Sequence, residues 1–510
     1  MALPGLQTLK KPHTSPVSLL TGLNGAKVTT LYEFGTSVNG TYIAGIPDGL
    51  GAYKAENGNL RLLVNSELSP DKGFPYTLAN GTQLTGGRLN YIEFNNNKPV
   101  SIGLAYDTIF DRKGAIVTNG TQINGGTPGS LGFNRYCSAN LIEANTFGKG
   151  KGFSDSIFLI GEESGNFATM QAFDPATKSI HAVPDLGYGG WESGTILNTG
   201  SKEKVAILLG DDNSAAPIYL YVGTKKPDSK NLLSRNGLRG GQMYVWCAGS
   251  GASSSSSLAA GSLTAGTWKP LNVRDATKAG QSGYDADGYK YAATLRTEAK
   301  SLSAFTGWRI EDVDFNPSNP RQAVFNTTGG QSTGSGTSSV GTGDYYGSTW
   351  IIDVTFNKDG KPTGGTLKHA YDGDAAANKQ NGIRSQDNVA WSANKFIYIN
   401  EDRAIEAGAD GGNADWGSQE GSIWKLDPLT GGATRVAQIN RTGGLPSGVT
   451  DGNTQNGGWE TSGIIDVSRF FGHAAGTDFF TTVQAHGTTG GAITSQTLAE
   501  GGTIELLSFG

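Results

Sequence analysis

Carboxylate side chains fall in short clusters along the chain. Each cluster stands at the end of a predicted strand, where a buried carboxylate is costly unless a cation neutralises it. Carboxylate and amide oxygens are the ligands that Ca²⁺ prefers. A turn or strand cap explains any single cluster, but eight clusters in similar context favour a shared site for a hard cation. They are Asn65-Ser66-Glu67, Gly161-Glu162-Glu163, Gly190-Trp191-Glu192, Gly210-Asp211-Asp212, Arg309-Ile310-Glu311-Asp312, Gln386-Asp387-Asn388, Asn400-Glu401-Asp402 and Gly458-Trp459-Glu460.

The two cysteines permit at most one disulfide, so the chain is not a disulfide scaffold. Cys137 lies shortly before the cluster at Glu163. It is either a buried small side chain or a thiolate ligand for a metal such as iron. Cys247, at the end of the apolar run QMYVWC, is predicted to lie in the core.

Arg309 stands two residues before Glu311, which puts both side chains on one face of a strand. The arginine is either an ion-pair partner or a bidentate clamp for phosphate oxygens. The sequence has neither the GxxxxGK(S/T) loop of nucleotide phosphate sites nor the GxSxG elbow of α/β-hydrolases. Those two chemistries are therefore excluded.

The elements that must position these side chains are short apolar runs rich in β-branched and aromatic residues. Several end in an Asx-Pro dipeptide, in which the Asx side chain caps the turn and proline presets φ. Such turns occur at Asp174-Pro175, Asn316-Pro317 and Asp427-Pro428. The predicted strands are Ser156–Gly161, Lys204–Gly210, Pro217–Val222, Gln242–Cys247, Thr349–Val354, Lys395–Asn400 and Ser422–Leu426.

Composition supports an all-β fold. Glycine makes up 77 of 510 residues and charged residues only 17%, whereas about 25% is usual. Five histidines without metal-ligand spacing disfavour a histidine-rich zinc site. The net charge of −5 without a basic cluster disfavours nucleic acid as a partner, and no apolar run is long enough for a transmembrane segment. The N-terminus shows no secretory signal.

We predict one elaborated β-propeller of about six blades over residues 1–510, because a propeller gathers strand ends from every blade around one axis. Several β domains in succession are the alternative. The chain exceeds the length that six or seven blades need. Long flexible loops are therefore predicted near 248–267 and 327–342, where serine, glycine and threonine dominate.

The order of motifs resembles the PhoX-type alkaline phosphatase family, in its uncharacterised branch. The resemblance covers roughly residues 30–490. Ser66 stands where the family usually has histidine, and Ile310 where it usually has proline. The matching segments are PDGLGAY at 47–53, LLVNSEL at 62–68, Arg135-Tyr136-Cys137-Ser138, IGEE at 160–163, Trp191-Glu192, LGDD at 209–212, IYLYVGT at 218–224, RIED at 309–312, SQDNV at 385–389, SGIID at 462–466 and TVQAH at 482–486.

This resemblance implies a propeller with Ca²⁺ and Fe³⁺ at its axis that hydrolyses phosphate monoesters outside the cytoplasm, in the periplasm or the extracellular space. Arg309 would bind the phosphate of the substrate and Asn65 would line the site. Cys137 would be the thiolate ligand of iron. The acidic metal ligands would be Glu67, Glu162, Glu163, Glu192, Asp211, Asp212, Glu311, Asp312 and Asp387.

Three functions are consistent with the sequence. The first is the metal-dependent phosphatase. The second is a catalytically silent calcium-binding propeller that works as an extracellular surface or assembly protein, with self-assembly as its partner interaction. The third is a different calcium-dependent hydrolase on a propeller, of the phytase or lactonase kind. The sequence does not reveal the natural substrate, the oligomeric state or the export route.

Overall fold

A computed structural model describes residues 18–123, 132–329, 344–375, 377–378, 381–402, 419–453 and 455–510. Within them the chain folds almost entirely into antiparallel strands. The longest helix, Ala292–Ser301, has ten residues. The predicted all-β class is confirmed. No helix in these ranges is long and apolar enough to cross a membrane.

The strands form six units, and each unit has one innermost strand that contacts the inner strands of its two neighbours. The inner strands thereby close a ring, as expected for the predicted propeller. In chain order they are Pro47–Lys54, Tyr136–Ile142, Trp191–Leu197, Ile310–Phe315, Gln386–Trp391 and Glu460–Asp466.

The first and second units continue outward from these inner strands. The first adds Leu60–Ser66, Arg88–Asn95 and Lys98–Leu104. The second adds Ile157–Glu162, Gln171–Asp174, Ser179–Ala182 and the parallel edge strand Thr108–Phe110.

The third and fourth units share one nine-stranded sheet. Leu263–Leu271 joins them, because it pairs with the outermost strands of both. This strand replaces the last part of the loop predicted near 248–267, and that prediction is wrong from Leu263 onward. Most of the other predicted loop, 330–342, lies outside the described residues. The third unit adds Lys204–Asp211, Tyr219–Thr224 and Gln242–Ala248, and the fourth adds Gln322–Thr327, Ser348–Phe356 and Pro362–Asp372.

The fifth and sixth units each take their outermost strand from the N-terminal part of the chain. Leu20–Gly22 pairs with Ala433–Ile439, and Ala26–Glu33 pairs with Gly501–Phe509. The two ends of the chain therefore close the ring. The remaining strands are Ile397–Glu401 and Ser422–Leu426 in the fifth unit and Asp478–Ala485 in the sixth.

Short elements complete the described part of the chain. Two-stranded ladders join Tyr76–Thr77 to Gln83–Leu84, Ala216–Pro217 to Thr306–Gly307, and Val449–Asp451 to Thr488–Gly490. The other helices are Leu232–Arg235, Ser468–Phe471 and Gly491–Ser495, with 3₁₀ turns at Gly120–Gln122, Pro184–Leu186, Ser255–Ser257 and Ala276–Lys278.

A hydrophobic cluster lies between each pair of neighbouring units, so six clusters fill the ring. The strand Ile157–Glu162 shows why its sequence is continuously apolar. Ile157 and Leu159 face the third unit, whereas Phe158 and Ile160 face the first. Successive side chains of a strand point to opposite faces, and here both faces are buried.

The Asx-Pro turns form as predicted. The backbone N–H groups of Ala176, Ser318 and Leu429 donate to the side-chain oxygens of Asp174, Asn316 and Asp427 at 2.9–3.0 Å. Each turn links two adjacent strands of one unit. These local signals fix where strands reverse, and the reversals bring the acidic strand ends together.

Candidate metal centre

The candidate site lies where the inner strands begin. In five of the six units the second residue of the inner strand carries a carboxylate or a thiol. The sixth inner strand instead begins with Glu460 itself. The five second residues are Asp48, Cys137, Glu192, Glu311 and Asp387.

A break in the strand ladder follows the first residue in each of those five units. The first residue pairs with the neighbouring strand, and regular pairing resumes only three residues later. Such a bulge re-aims side chains that strict alternation would direct elsewhere. In the sixth unit the break comes later, between Ser462 and Ile464.

The second strand of each unit ends beside the start of the inner strand and supplies a second level of side chains. In four units the residue that directly follows the second strand is acidic. Its N–H donates to the carbonyl of the residue that precedes the inner strand, at 2.7–3.0 Å. In the fourth unit Thr328 makes the same bond to Arg309 at 3.0 Å. The acidic residues are Glu67, Glu163, Asp212 and Asp402.

The two levels bring nine side chains into four overlapping groups, in each of which the ligand atoms lie within 4.8 Å of one another. Cys137, Glu192 and Asp387 each belong to two groups. The groups therefore form a continuous belt rather than separate pairs. They are Asp48 with Cys137 and Glu192, Glu67 with Cys137 and Glu163, Glu192 with Glu311 and Asp387, and Asp387 with Asp402 and Glu460.

Burial and mutual repulsion govern the electrostatics of this belt. Burial raises the pKa of the Glu192 carboxyl well above its usual range, and the charge of Glu311 raises it further. Burial likewise raises the pKa of Asp387, again with help from Glu311. Burial raises the pKa of the Cys137 thiol, and the adjacent Glu192 charge adds to that shift. A bound cation reverses such shifts, because it stabilises the charged form of each ligand.

The donor set fits hard cations. Glu192 Oε2 and Asp387 Oδ1 are buried and have no hydrogen-bond partner among the described residues. Buried polar atoms are normally paired, so these two oxygens point to a bound ligand. Oxygen donors suit calcium, and the single thiol adds a donor that suits iron.

Two arginines border the belt. Arg309 is enclosed by carboxylates: Nε contacts Asp212 at 2.8 Å, Nη2 contacts Glu311 at 2.8 Å and Nη1 contacts Asp402 at 3.1 Å. Arg135 pairs with Glu67 and Glu163. These ion pairs hold the second level of acidic side chains in place.

The sixth unit contributes a histidine. His486 Nδ1 lies 2.7 Å from Glu500 Oε2, and Nε2 lies 3.3 Å from Glu460 Oε2. The two carboxylates raise the pKa of His486 to about 9 against the opposing effect of burial. His486 thereby orients the carboxylate of Glu460, which belongs to the group that it forms with Asp387 and Asp402.

The structure places six of the ten predicted acidic or thiol ligands in the belt: Glu67, Cys137, Glu163, Glu192, Glu311 and Asp387. The other four lie outside the groups formed by the described residues. Glu162 accepts from the N–H of Asn134, and Asp312 accepts from that of Val389. Asp211 and Asp212 pair with Arg296 and Arg309.

Asn65, predicted to line the site, bridges two units. Its amide nitrogen donates to the carbonyl of Cys137 at 2.6 Å, and its Oδ1 is buried with no partner in the part of the chain that the structure describes. Asn326 occupies the equivalent position in the fourth unit and donates to the carbonyl of Asp387 at 2.7 Å. In the second unit the equivalent residue is Gly161, where an added Cβ would lie 2.0 Å from the carbonyl oxygen of Glu192.

Three members of the belt were not predicted as ligands: Asp48, Asp402 and Glu460. Asp402 and Glu460 belong to clusters that the sequence does show. Asp48 stands alone in PDG, but that segment has the same form as the start of the third and fifth inner strands. An acid in second place before a small residue, as in PDG, WES and QDN, is the signal that identifies it.

Comparison with known proteins finds similarity at the level of the fold. No protein-family model matches the chain, and no curated protein matches it. The structure is similar to that of Pseudomonas fluorescens PhoX in complex with vanadate, a transition-state analogue, with a TM-score of 0.62 and 14% identity over 97% of this chain and 96% of that one. A candidate 6-phosphogluconolactonase from Bacteroides uniformis matches at a TM-score of only 0.29 and 9% identity, over 77% of this chain and 85% of that one.

The PhoX match spans nearly the whole of both chains, whereas the other similarity is too slight to support an argument. The resemblance predicted from the motifs is therefore confirmed at the level of architecture. The chain has a PhoX-like β-propeller fold.

Proposed function

We propose that the chain is a metal-dependent phosphomonoester hydrolase whose active centre is the belt of acidic residues and Cys137 at the propeller axis. The observation that carries the proposal is the belt itself: eight carboxylates and one thiol gathered at the start of the inner strands. The PhoX-like fold supports the choice of phosphate esters as the substrate class. Vanadate is bound in that relative. That this chain also binds a phosphoryl group is our hypothesis.

The residues of the belt divide the work of holding cations. Oxygen-only groups, such as Glu192 with Glu311 and Asp387, suit Ca²⁺. The two groups that contain Cys137 suit iron, because a thiolate is a softer ligand than a carboxylate. When bound, the cations would polarise the phosphoryl oxygens and neutralise the charge that develops in the transition state.

Arg309 fits the ion-pair role better than the phosphate role, since all three guanidinium nitrogens contact carboxylates. In this position it orients Asp212, Glu311 and Asp402 and offsets part of their repulsion. Asn65 fits a positioning role for the Cys137 backbone. We further propose that the enzyme works in the periplasm or outside the cell, where calcium suffices to fill weak carboxylate sites.

The test is turnover of p-nitrophenyl phosphate by protein reconstituted with Ca²⁺ and Fe³⁺, together with elemental analysis. Bis-p-nitrophenyl phosphate and a lactone serve as competing substrates. We expect hydrolysis of the monoester, with loss of iron and activity in Cys137→Ser, because a hydroxyl stays protonated and binds iron poorly. Cys247→Ser is the matched control, since Cys247 lies in the hydrophobic core away from the belt.

The alternatives give different results. Bound calcium without turnover of any ester identifies the silent, structural propeller. Turnover of the diester or the lactone alone identifies a different hydrolase. Full iron content and full activity in Cys137→Ser would reduce Cys137 to a buried small side chain.

A further inference from the structure

Arg135 and Arg309 occupy equivalent positions in two units. Each immediately precedes an inner strand, with φ of 57° and 58° respectively. Each carbonyl accepts a hydrogen bond from the N–H of the residue that directly follows the second strand of the same unit, at 3.0 Å. Positive φ is uncommon outside glycine, so a shared value at matched positions marks a repeated backbone feature. The two side chains are therefore comparable.

Their surroundings differ. The side chain of Arg309 is 24% exposed, and each of its nitrogens contacts a carboxylate. The side chain of Arg135 is 44% exposed. Its Nε pairs with Glu163 and its Nη2 with Glu67, while Nη1 has no partner among the described residues. Nη1 of Arg135 can therefore donate hydrogen bonds to a ligand, whereas all three guanidinium nitrogens of Arg309 already contact carboxylates.

The unit between the two arginines has glycine, Gly190, at the equivalent position. The backbone is closely packed there, because an added Cβ would lie 3.0 Å from the carbonyl oxygens of Glu163 and Asp212. Glu163 is the partner of Arg135, and Asp212 is the partner of Arg309. The third unit therefore places no arginine here, and its Asp212 side chain is already paired with Arg309.

We propose that Arg135 binds non-bridging oxygens of the phosphoryl group, and that Arg309 serves instead as an internal ion-pair lock. The inference rests on the proposed function, because it assigns the substrate-contacting arginine of that site. A phosphate approaching a belt of carboxylates needs an accessible cation. A guanidinium anchored through Nε and Nη2 presents its remaining donors in a fixed plane, which suits phosphate geometry.

Binding of inorganic phosphate to cation-loaded protein tests this directly. The variants are Arg135→Gln, Arg135→Lys and, as a matched control for losing an ion-paired arginine, Arg235→Gln. Arg235 pairs with Asp155 on the flank of the propeller. We expect Arg135→Gln to raise the Kd of phosphate about 10- to 100-fold, the size of one charge-assisted bond. Arg135→Lys should recover part of that loss, and Arg235→Gln should bind like the wild type.

Calorimetry and elemental analysis of the same variants separate substrate contact from structural support. Unchanged cation content and Tm in Arg135→Gln, with weakened phosphate binding and a raised KM, support the proposal. Wild-type phosphate affinity in Arg135→Gln overturns it, as does a loss of phosphate affinity that follows a loss of cations. If Arg135→Gln does not fold, wild-type phosphate affinity in Arg135→Lys overturns it. If the wild type binds phosphate but hydrolyses no ester, the proposed phosphatase function is wrong. The phosphate affinities of the variants then still decide whether Arg135 binds phosphate.

Discussion

The sixth unit differs from the other five at the point where all six meet. The five share a ladder break directly after the first residue and a carboxylate or thiol in second place. The sixth has Thr461 in second place, starts with Glu460 and breaks its ladder later. A shared bulge thus positions five ligands. The sixth ligand, Glu460, is positioned instead by its contact with His486.

The ring is therefore a repeated scaffold in which one unit, the sixth, is specialised. Five units can direct ligands by backbone geometry alone, because the bulge aims the side chain. The sixth needs His486 and Glu500 to fix Glu460. Changes common to all units should have the largest effects, and changes confined to the sixth the smallest.

Removal of cations is expected to have the largest effect, since it exposes every unit to uncompensated repulsion. A ligand at one hundred times its Kd adds about 2.7 kcal/mol of stability per site. Differential scanning calorimetry with and without EGTA should show a lower Tm in the chelator. An unchanged Tm would mean that the acidic belt is stable by itself.

Gly161→Ala should come next. The new Cβ would lie 2.0 Å from the carbonyl oxygen of Glu192, so the second and third units would have to separate. We expect a loss of about 3 kcal/mol in urea unfolding. Gly103→Ala is the control: its Cβ would lie nearest to the side chain of Tyr91, at 3.3 Å, and the substitution should cost less than about 1 kcal/mol.

A carboxyl in the outer part of the sixth unit gives a pH-dependent effect. Burial raises the pKa of Glu505 from 4.5 to about 7. The folded chain therefore keeps a proton that the unfolded chain releases, so this contribution to stability is complete below about pH 4.5 and is lost as the pH rises through 7.

Glu505→Gln should remove that dependence. Between pH 5 and pH 8 the stability of this variant should rise by about 3 kcal/mol relative to the wild type, when both are unfolded in urea. Glu56→Gln, on an exposed turn, should track the wild type at both pH values. Parallel curves for Glu505→Gln and the wild type would show that this carboxyl is ionised in the folded chain.

His486→Gln should have the smallest and most local effect. Loss of a residue that orients a metal ligand typically lowers metal affinity about 10- to 100-fold. Isothermal titration with Ca²⁺ should show one weakened class of sites and the others intact. His473→Gln is the matched control, because His473 also pairs with a carboxylate, that of Asp478 at 2.6 Å, but outside the belt. Equal titrations for both variants would make His486 a structural residue only.

Much of this arrangement can be predicted from sequence because its signals are local. Apolar runs such as Ile157–Glu162 and the Asx-Pro turns are encoded by neighbouring residues, and the fold follows from their repetition. The acidic clusters likewise mark strand ends. Their number indicates a common centre, and six of the ten predicted ligands lie in the belt.

The choice within each cluster is not local. Glu162 and Glu163 are adjacent, yet only Glu163 joins the belt. Neighbouring strand residues point to opposite faces, so the register at the strand end decides between them. Asp48 and the enclosure of Arg309 depend on side chains from distant units, which no window of sequence brings together.

The strands Leu20–Gly22 and Ala26–Glu33 are synthesised long before the strands with which they pair. Their partners lie in the fifth and sixth units. Long-range pairing of this kind is slow, because the intervening chain must be ordered before the contact can form. The nascent chain thus carries its acidic strand ends without a complete ring until the sixth unit has been synthesised. The belt can therefore assemble only after that unit, and the compartment in which the ring closes determines which cations the belt first meets.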